Sequence, residues 1–142
     1  MSFMIEAKGK FLRIHNNLPF AATVQIKIEE VEIPYVKIDC NGDGWIAQGY
    51  SEYVPKNGYD SWKKGAIIGA EYALRKTKTS LGIIIFEIVG MITDTSPASV
   101  GAATIYAVWN GINYTTTQDE IAHIEKIVFG AGYDNLPNFE AN

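Results

Sequence analysis

Cysteine occurs once in this chain of 142 residues, at Cys40. A single cysteine excludes an internal disulfide and a cysteine-based zinc site within one chain. No apolar run is long enough to cross a bilayer. The longest, from Ile83 through Val89, is interrupted by Glu87, and a spanning helix needs about 20 apolar residues. The opening MSFMIEAKGK has no basic stretch followed by an apolar one, so it does not read as a secretory leader. The expectation is a soluble cytoplasmic protein with no membrane partner. Histidine is scarce, with His15 and His123 far apart and at no metal-ligand spacing. GxxxxGK[ST], GxGxxG after a strand, and GxSxG are all missing, which removes the main motif-based cases for nucleotide binding and serine hydrolysis. Neither a cofactor nor a metal is expected. Positive charge is also short: 12 basic against 16 acidic side chains give a net charge of −4. A nucleic-acid surface needs clustered Lys and Arg. The only dense group, Lys63, Lys64, Lys76 and Lys78, reads as a solvated helix face.

What is present fits one globular domain. Hydrophobic residues make up 47% of the chain, enough for a real core at this length. GKFLRIHN reads as a strand ended by Asn16-Asn17-Leu18-Pro19. In TVQIKIEEVE, Val24, Ile26 and Ile28 alternate with Thr23, Gln25, Lys27 and Glu29, the period of a half-buried strand. IPYVKID and WIAQGYSEYV read as two further strands joined through NGDG. Asp60 or Ser61 is placed to cap a helix whose stripe is Trp62, Ala66, Ala70 and Leu74. Gly65, Gly69 and Ala73 recur every four residues. Each such glycine costs about 1 kcal/mol of helix propensity against alanine, which close packing must offset.

GIIIFEIVGMI reads as a central strand covered on both faces. After a Thr95 or Ser96 cap and Pro97, the uncharged ASVGAATIYAVWNGI reads as a deeply buried helix. Thr117-Gln118-Asp119-Glu120 has the form of a capping box before a third helix with Ile121, Ile124 and Val128 on one stripe. The expected fold class is α+β: a single-domain sandwich over residues 1–129, with a mainly antiparallel four- to six-stranded sheet and two or three helices on one face. Residues 130–142 read as a loosely ordered tail.

Asp39-Cys40-Asn41-Gly42-Asp43-Gly44 matches the first half of a calcium loop, with Ile46 at the eighth position. The twelfth position should be a bidentate Glu and is Tyr50, while Glu52 falls two residues too late. Its flanks are strand-like, so the segment reads as a hairpin tip in which glycines supply positive φ. Cys40 reads as a small core residue.

The richest surface chemistry is acidic and aromatic. Glu29, Glu30, Glu32, Asp39, Asp43 and Glu52 cluster in sequence with Tyr35, Trp45, Tyr50, Tyr53 and Tyr59. A solvated strand face accounts for this composition, and so does an interface with aromatic anchors and a charged rim. The expected partner-binding set is Glu29, Glu30, Glu32, Asp39, Asp43, Trp45, Tyr50 and Glu52, docking a basic protein partner. Free sheet edges leave a homodimer open.

Two resemblances bear on function. The stretch VKIDCNGDGWIAQGYSEYVPKNGYDSWKKGAIIGAEYAL, followed by GIIIFEIVGMITDT and a further helix, resembles domain IV of elongation factor G-type translation factors over residues 33–112. The matching positions are Asp43-Gly44, Asp60-Ser61 and the helix carrying Gly69. The resemblance implies a sheet with helices on one side, and a translation-related or RNA-binding module as one alternative. In size, acidity and lack of catalytic motifs the chain is similar to bacterial immunity proteins. That implies a non-enzymatic binding module that neutralises a cognate toxin by covering its basic site. A small enzyme or small-molecule binder, using His15, Cys40 or the acidic segment, is the other alternative.

Overall fold

A computed structural model of the chain describes residues 4–45 and 51–141, with the backbone alone for Trp45. The elements run β1 (Met4–His15), β2 (Leu18–Glu30), β3 (Tyr35–Ile38), β4 (Gly44–Trp45), β5 (Glu52–Tyr53), α1 (Asp60–Thr77), β6 (Leu81–Gly90), α2 (Pro97–Gly111) and α3 (Gln118–Ala131). The fold is α+β, with a mixed sheet and, among the described residues, three helices in one domain.

β1 and β2 pair antiparallel in unbroken register, from Met4 opposite Glu29 to His15 opposite Leu18. Asn16 and Asn17 make the two-residue turn at φ of 51° and 64°. Asparagine tolerates this left-handed region, and two such residues give a turn whose twist matches its strands. The alternation read in β2 holds. Phe20, Ala22, Val24, Ile26 and Ile28 are buried, while Thr23, Gln25, Lys27 and Glu29 take the other face. Pro19 falls inside β2, but β6 reaches along β2 only to Thr23. Its missing N–H therefore costs no ladder bond.

The sheet order is β1-β2-β6-β5-β4, with β3 also on β6. β6 shares its far edge between two strands. β3 lies parallel to it from Gly82 to Ile85, and β5 antiparallel at Val89 and Gly90. This corrects the expected hairpin through NGDG: β3 pairs with β6, and β4 pairs with β5. Gly42 closes the intervening segment by donating its N–H to the Val54 carbonyl at 2.9 Å. A Cβ there would come within 2.6 Å of the Tyr53 carbonyl oxygen, so the glycine permits the approach of two backbones. Between Gln25–Glu87 and Ile26–Ile85 the β2–β6 register shifts, which leaves Phe86 as the extra residue of a bulge.

The helices lie over one face. α2 is the middle of that layer and is buried along nearly its whole length. Ser96 caps it reciprocally with Ser99, and Pro97 takes the first turn. Thr117 and Glu120 cap α3 in the same way, as the sequence indicates. α1 differs from expectation: its N-cap is Tyr59 at φ 55° without a side-chain cap, and Asp60 sits in the first turn. There its carboxylate faces the positive end of the helix. Gly65 and Gly69 set α1 against α2, and a Cβ on either would come within 2.1 and 2.2 Å of the Pro97 and Gly101 carbonyl oxygens. The central position read for β6 is observed, but among the described residues helices cover it on one face only. Ile83, Ile85 and Ile88 are buried, whereas Ile84, Phe86 and Val89 are half-buried on the other side.

The segment after α3 carries an anchor. Phe139 is 1% exposed and meets Tyr72 at 5.6 Å between ring centroids. Its carbonyl contacts His123 Nε2 at 2.6 Å, and Glu140 pairs with Arg75 at 2.8 Å.

Candidate functional site

Among the described residues no helix covers the opposite sheet face, and that open face's residues follow from register. Across it run the rows Lys8–Gln25–Glu87, Glu6–Lys27–Ile84–Lys37 and Met4–Glu29–Gly82–Tyr35. The Tyr35 hydroxyl donates to Glu29, and the Gln25 amide donates to Glu87. The bond to Glu29 is the main reason the Tyr35 phenol is raised above its ordinary value, with burial second. The Tyr35 ring lies over Gly82, where a Cβ would come within 2.3 Å of it. Lys27 Nζ stands 5.4 Å from the centroid of Phe86, and Lys37 Nζ 5.5 Å from that of Tyr35. Both cations are thus held over aromatic faces. Where β3 and β5 part on β6, a hollow of about 330 Å³ is lined by Lys27, Asp39, Asn41, Tyr53, Phe86 and Glu87.

The candidate residues divide. Glu29 lies on the open face, and Asp39 is exposed at the hollow. Glu30 and Glu32 are exposed at the β2–β3 end, and Asp43 is exposed beside Gly44. Glu52 is a correction. It is 4% exposed, with Tyr59 donating its hydroxyl to Oε1, so it cannot line a docking surface. Tyr50 and the side chain of Trp45 lie outside the described residues. Glu87 and Phe86, which the sequence did not single out, complete the hollow. Their signal was the polar residue inside an apolar run, but the bulge that turns them outward arises from pairing with β2.

The isolated nucleophile and bases have structural partners. Burial pushes the Cys40 thiol up to about 11, and its Sγ lies 3.6 Å from the Ile85 carbonyl. His15 stacks on Phe129 at 4.2 Å between centroids. β2 and β6 separate its strand from β3, which leads into Cys40. His123 borders a groove of about 590 Å³ between α1 and α3. Two of the polar pairs there are closed, His123 with the Phe139 carbonyl and Arg75 with Glu140. Asn41 Nδ2 lies 3.3 Å from Asp39 Oδ1. Among the described residues, no three His, Cys, Asp or Glu side chains gather as a metal site, and no helix is long and apolar enough to cross a membrane.

A structure of a protein from Thermus thermophilus matches 90% of this chain at 10% identity and a TM-score of 0.61. This chain spans 20% of that protein, so the likeness is one of fold, to part of a longer molecule. Mevalonate kinase, and that of Methanococcus jannaschii, match at TM-scores of 0.44 and 0.40 and identities of 19% and 18%. Those matches cover 86% and 87% of this chain and 44% of each kinase, and at such scores they carry no argument. No family model and no curated protein matches the chain.

Proposed function

We propose that the chain is a non-enzymatic protein-binding module of the immunity type, which neutralises a toxin by laying its open sheet face over a basic surface. The observation that carries this reading is the group around the β3–β5 hollow: Tyr53 and Phe86 beside the carboxylates of Asp39 and Glu87. Tyr35 and Glu29 extend the same face. Aromatic rings supply contact area at low entropic cost, and carboxylates steer a basic partner and fix its orientation. Lys27 and Lys37 sit over rings, which partly occupies their charge. The membership differs from the sequence-read set, with Glu87 in and Glu52 out.

The test is co-expression with the product of the adjacent reading frame, taken as the candidate toxin, scored by survival and by a co-purifying complex. Rescue is expected. Asp39→Lys with Glu87→Lys should abolish it while leaving the unfolding midpoint within experimental scatter. Absence of both rescue and complex, or full rescue by the charge-reversed variant, would reject the reading.

A further inference from the structure

A row of backbone polar groups stands along one edge of the sheet. Among the described residues, β1 has a strand neighbour only on its β2 side. In a hairpin closed by a two-residue turn, the closing pair exchanges hydrogen bonds, so His15 and every second residue before it face β2. The even residues from Glu6 to Ile14 therefore turn N–H and C=O to the free edge. Two side-chain contacts agree. Asn110 Nδ2 donates to the Lys8 carbonyl at 3.0 Å, and Arg13 Nη1 donates to the Leu12 carbonyl at 2.9 Å. Between them, the backbone of Lys10 has no partner among the described residues. Beside this edge runs a groove of about 630 Å³, lined by Lys8, Lys10, Arg13, Tyr106, Asn110 and Ile121. Its charged lining is all cationic, in a chain of net charge −4. Among the described residues, Glu125 on α3 is the one carboxylate bonded to that set, through Arg13. The Tyr106 hydroxyl is buried without a hydrogen-bond partner among the described residues.

We infer that this edge takes an extended acidic segment of another protein as an added strand, along the border of the sheet opposite the β3–β5 hollow. Backbone bonds form first at Lys10, then at Lys8 and Leu12 as Asn110 and Arg13 swing aside. Alternate side chains of an extended segment point to opposite faces. One set meets the ammonium groups of Lys8 and Lys10, and the other turns toward Tyr106 and Ile121. Lysines on an edge guard it against indiscriminate pairing, and an acidic segment is the partner for which that guard becomes a contact. A second copy is disfavoured, because β1 is itself cationic, with Lys8, Lys10 and Arg13 against Glu6 alone.

The test uses the whole chain and a fluorescein-labelled peptide of about nine residues alternating Glu and Val, read by fluorescence anisotropy. Saturable binding is expected. It should weaken about tenfold or more when the peptide amides facing β1 are N-methylated, a loss of roughly 1.4 kcal/mol. Lys8→Glu with Lys10→Glu should weaken it similarly. Amide exchange gives a second readout on the unmutated chain: the Lys10 N–H should slow when peptide is added. No binding at millimolar peptide, equal binding of the N-methylated or the Lys–Val peptide, or an unprotected Lys10 amide would overturn the inference. Dimerisation of the free chain through β1 would overturn it as well.

Discussion

Replacing Gly69 by alanine adds one methyl group where the backbones of α1 and α2 touch. In an open helix the change is favourable by about 1 kcal/mol, because glycine loses more backbone freedom on folding. At Gly69 the added Cβ would lie 2.2 Å from the Gly101 carbonyl oxygen and 2.9 Å from its Cα. The obstacle is buried helix backbone, which no rotamer change can move aside. Restoring ordinary contact needs a local retreat of roughly 1 Å, and a gap of that size elsewhere in the interface forfeits up to about half of each dispersion contact. Overpacking of this kind costs about 1–3 kcal/mol. With rigid backbone on both sides the upper half of that range applies, so about 1–2 kcal/mol of net destabilisation remains after the propensity gain. Gly130, on α3, supplies the control, since a Cβ there meets nothing within 4 Å. Gly130→Ala should stabilise by up to about 1 kcal/mol. Urea unfolding of the two variants, compared at constant m, reads both signs from the midpoints. If Gly69→Ala raised the midpoint as Gly130→Ala does, the backbone contact between α1 and α2 would be refuted.

Two further outcomes follow from the same packing. Phe139→Ala should cost about 3 kcal/mol, the usual loss for a buried ring, since Phe139 is 1% exposed; an unchanged thermal midpoint would show that the last segment does not dock. Tyr59 is pushed up to about 12, chiefly by its hydrogen bond to Glu52, and then by burial and the carboxylate's charge. Folding thus favours the protonated phenol: its contribution is complete below pH 10 and lost as pH rises through about 12. Cys40, raised to about 11, adds a loss that starts near pH 9. Tyr59→Phe should therefore flatten the stability decline between pH 10 and 12 relative to the parent chain. An identical decline in the two would remove the Tyr59–Glu52 bond from the account.

The parts of the fold that sequence revealed are those set by local pattern. The period of two from Val24 to Ile28 placed the buried face of β2, and Thr117-Gln118-Asp119-Glu120 marked the start of α3 by the reciprocal bonds it forms. The absence of charge from Pro97 to Trp109 foretold the burial of α2. What local pattern could not supply was pairing across distance. β3 is followed by glycine-rich turn residues and looked like half of a hairpin, yet its partner is β6, beyond β4, β5 and α1. The isoleucine run of β6 looked covered on both faces. Instead Lys27 and Tyr35 partly shield its open side, an arrangement that depends on register. The candidate site shifted for the same reason. Glu52 and Asp39 look alike in sequence, but Tyr59 draws Glu52 inward and the β2–β6 bulge turns Glu87 out.

The position of α2 in the chain also sets a clock on synthesis. β1 and β2 need only each other to pair, and both have been synthesised by residue 30. The helix that covers Val24, Ile26 and Ile28 is not complete until residue 111. At about 5–20 residues per second, the intervening stretch of roughly 80 residues takes several seconds to translate. Through that interval the hairpin has no helix of its own to cover its apolar face, so its yield depends on what shields that face during synthesis as well as on final stability.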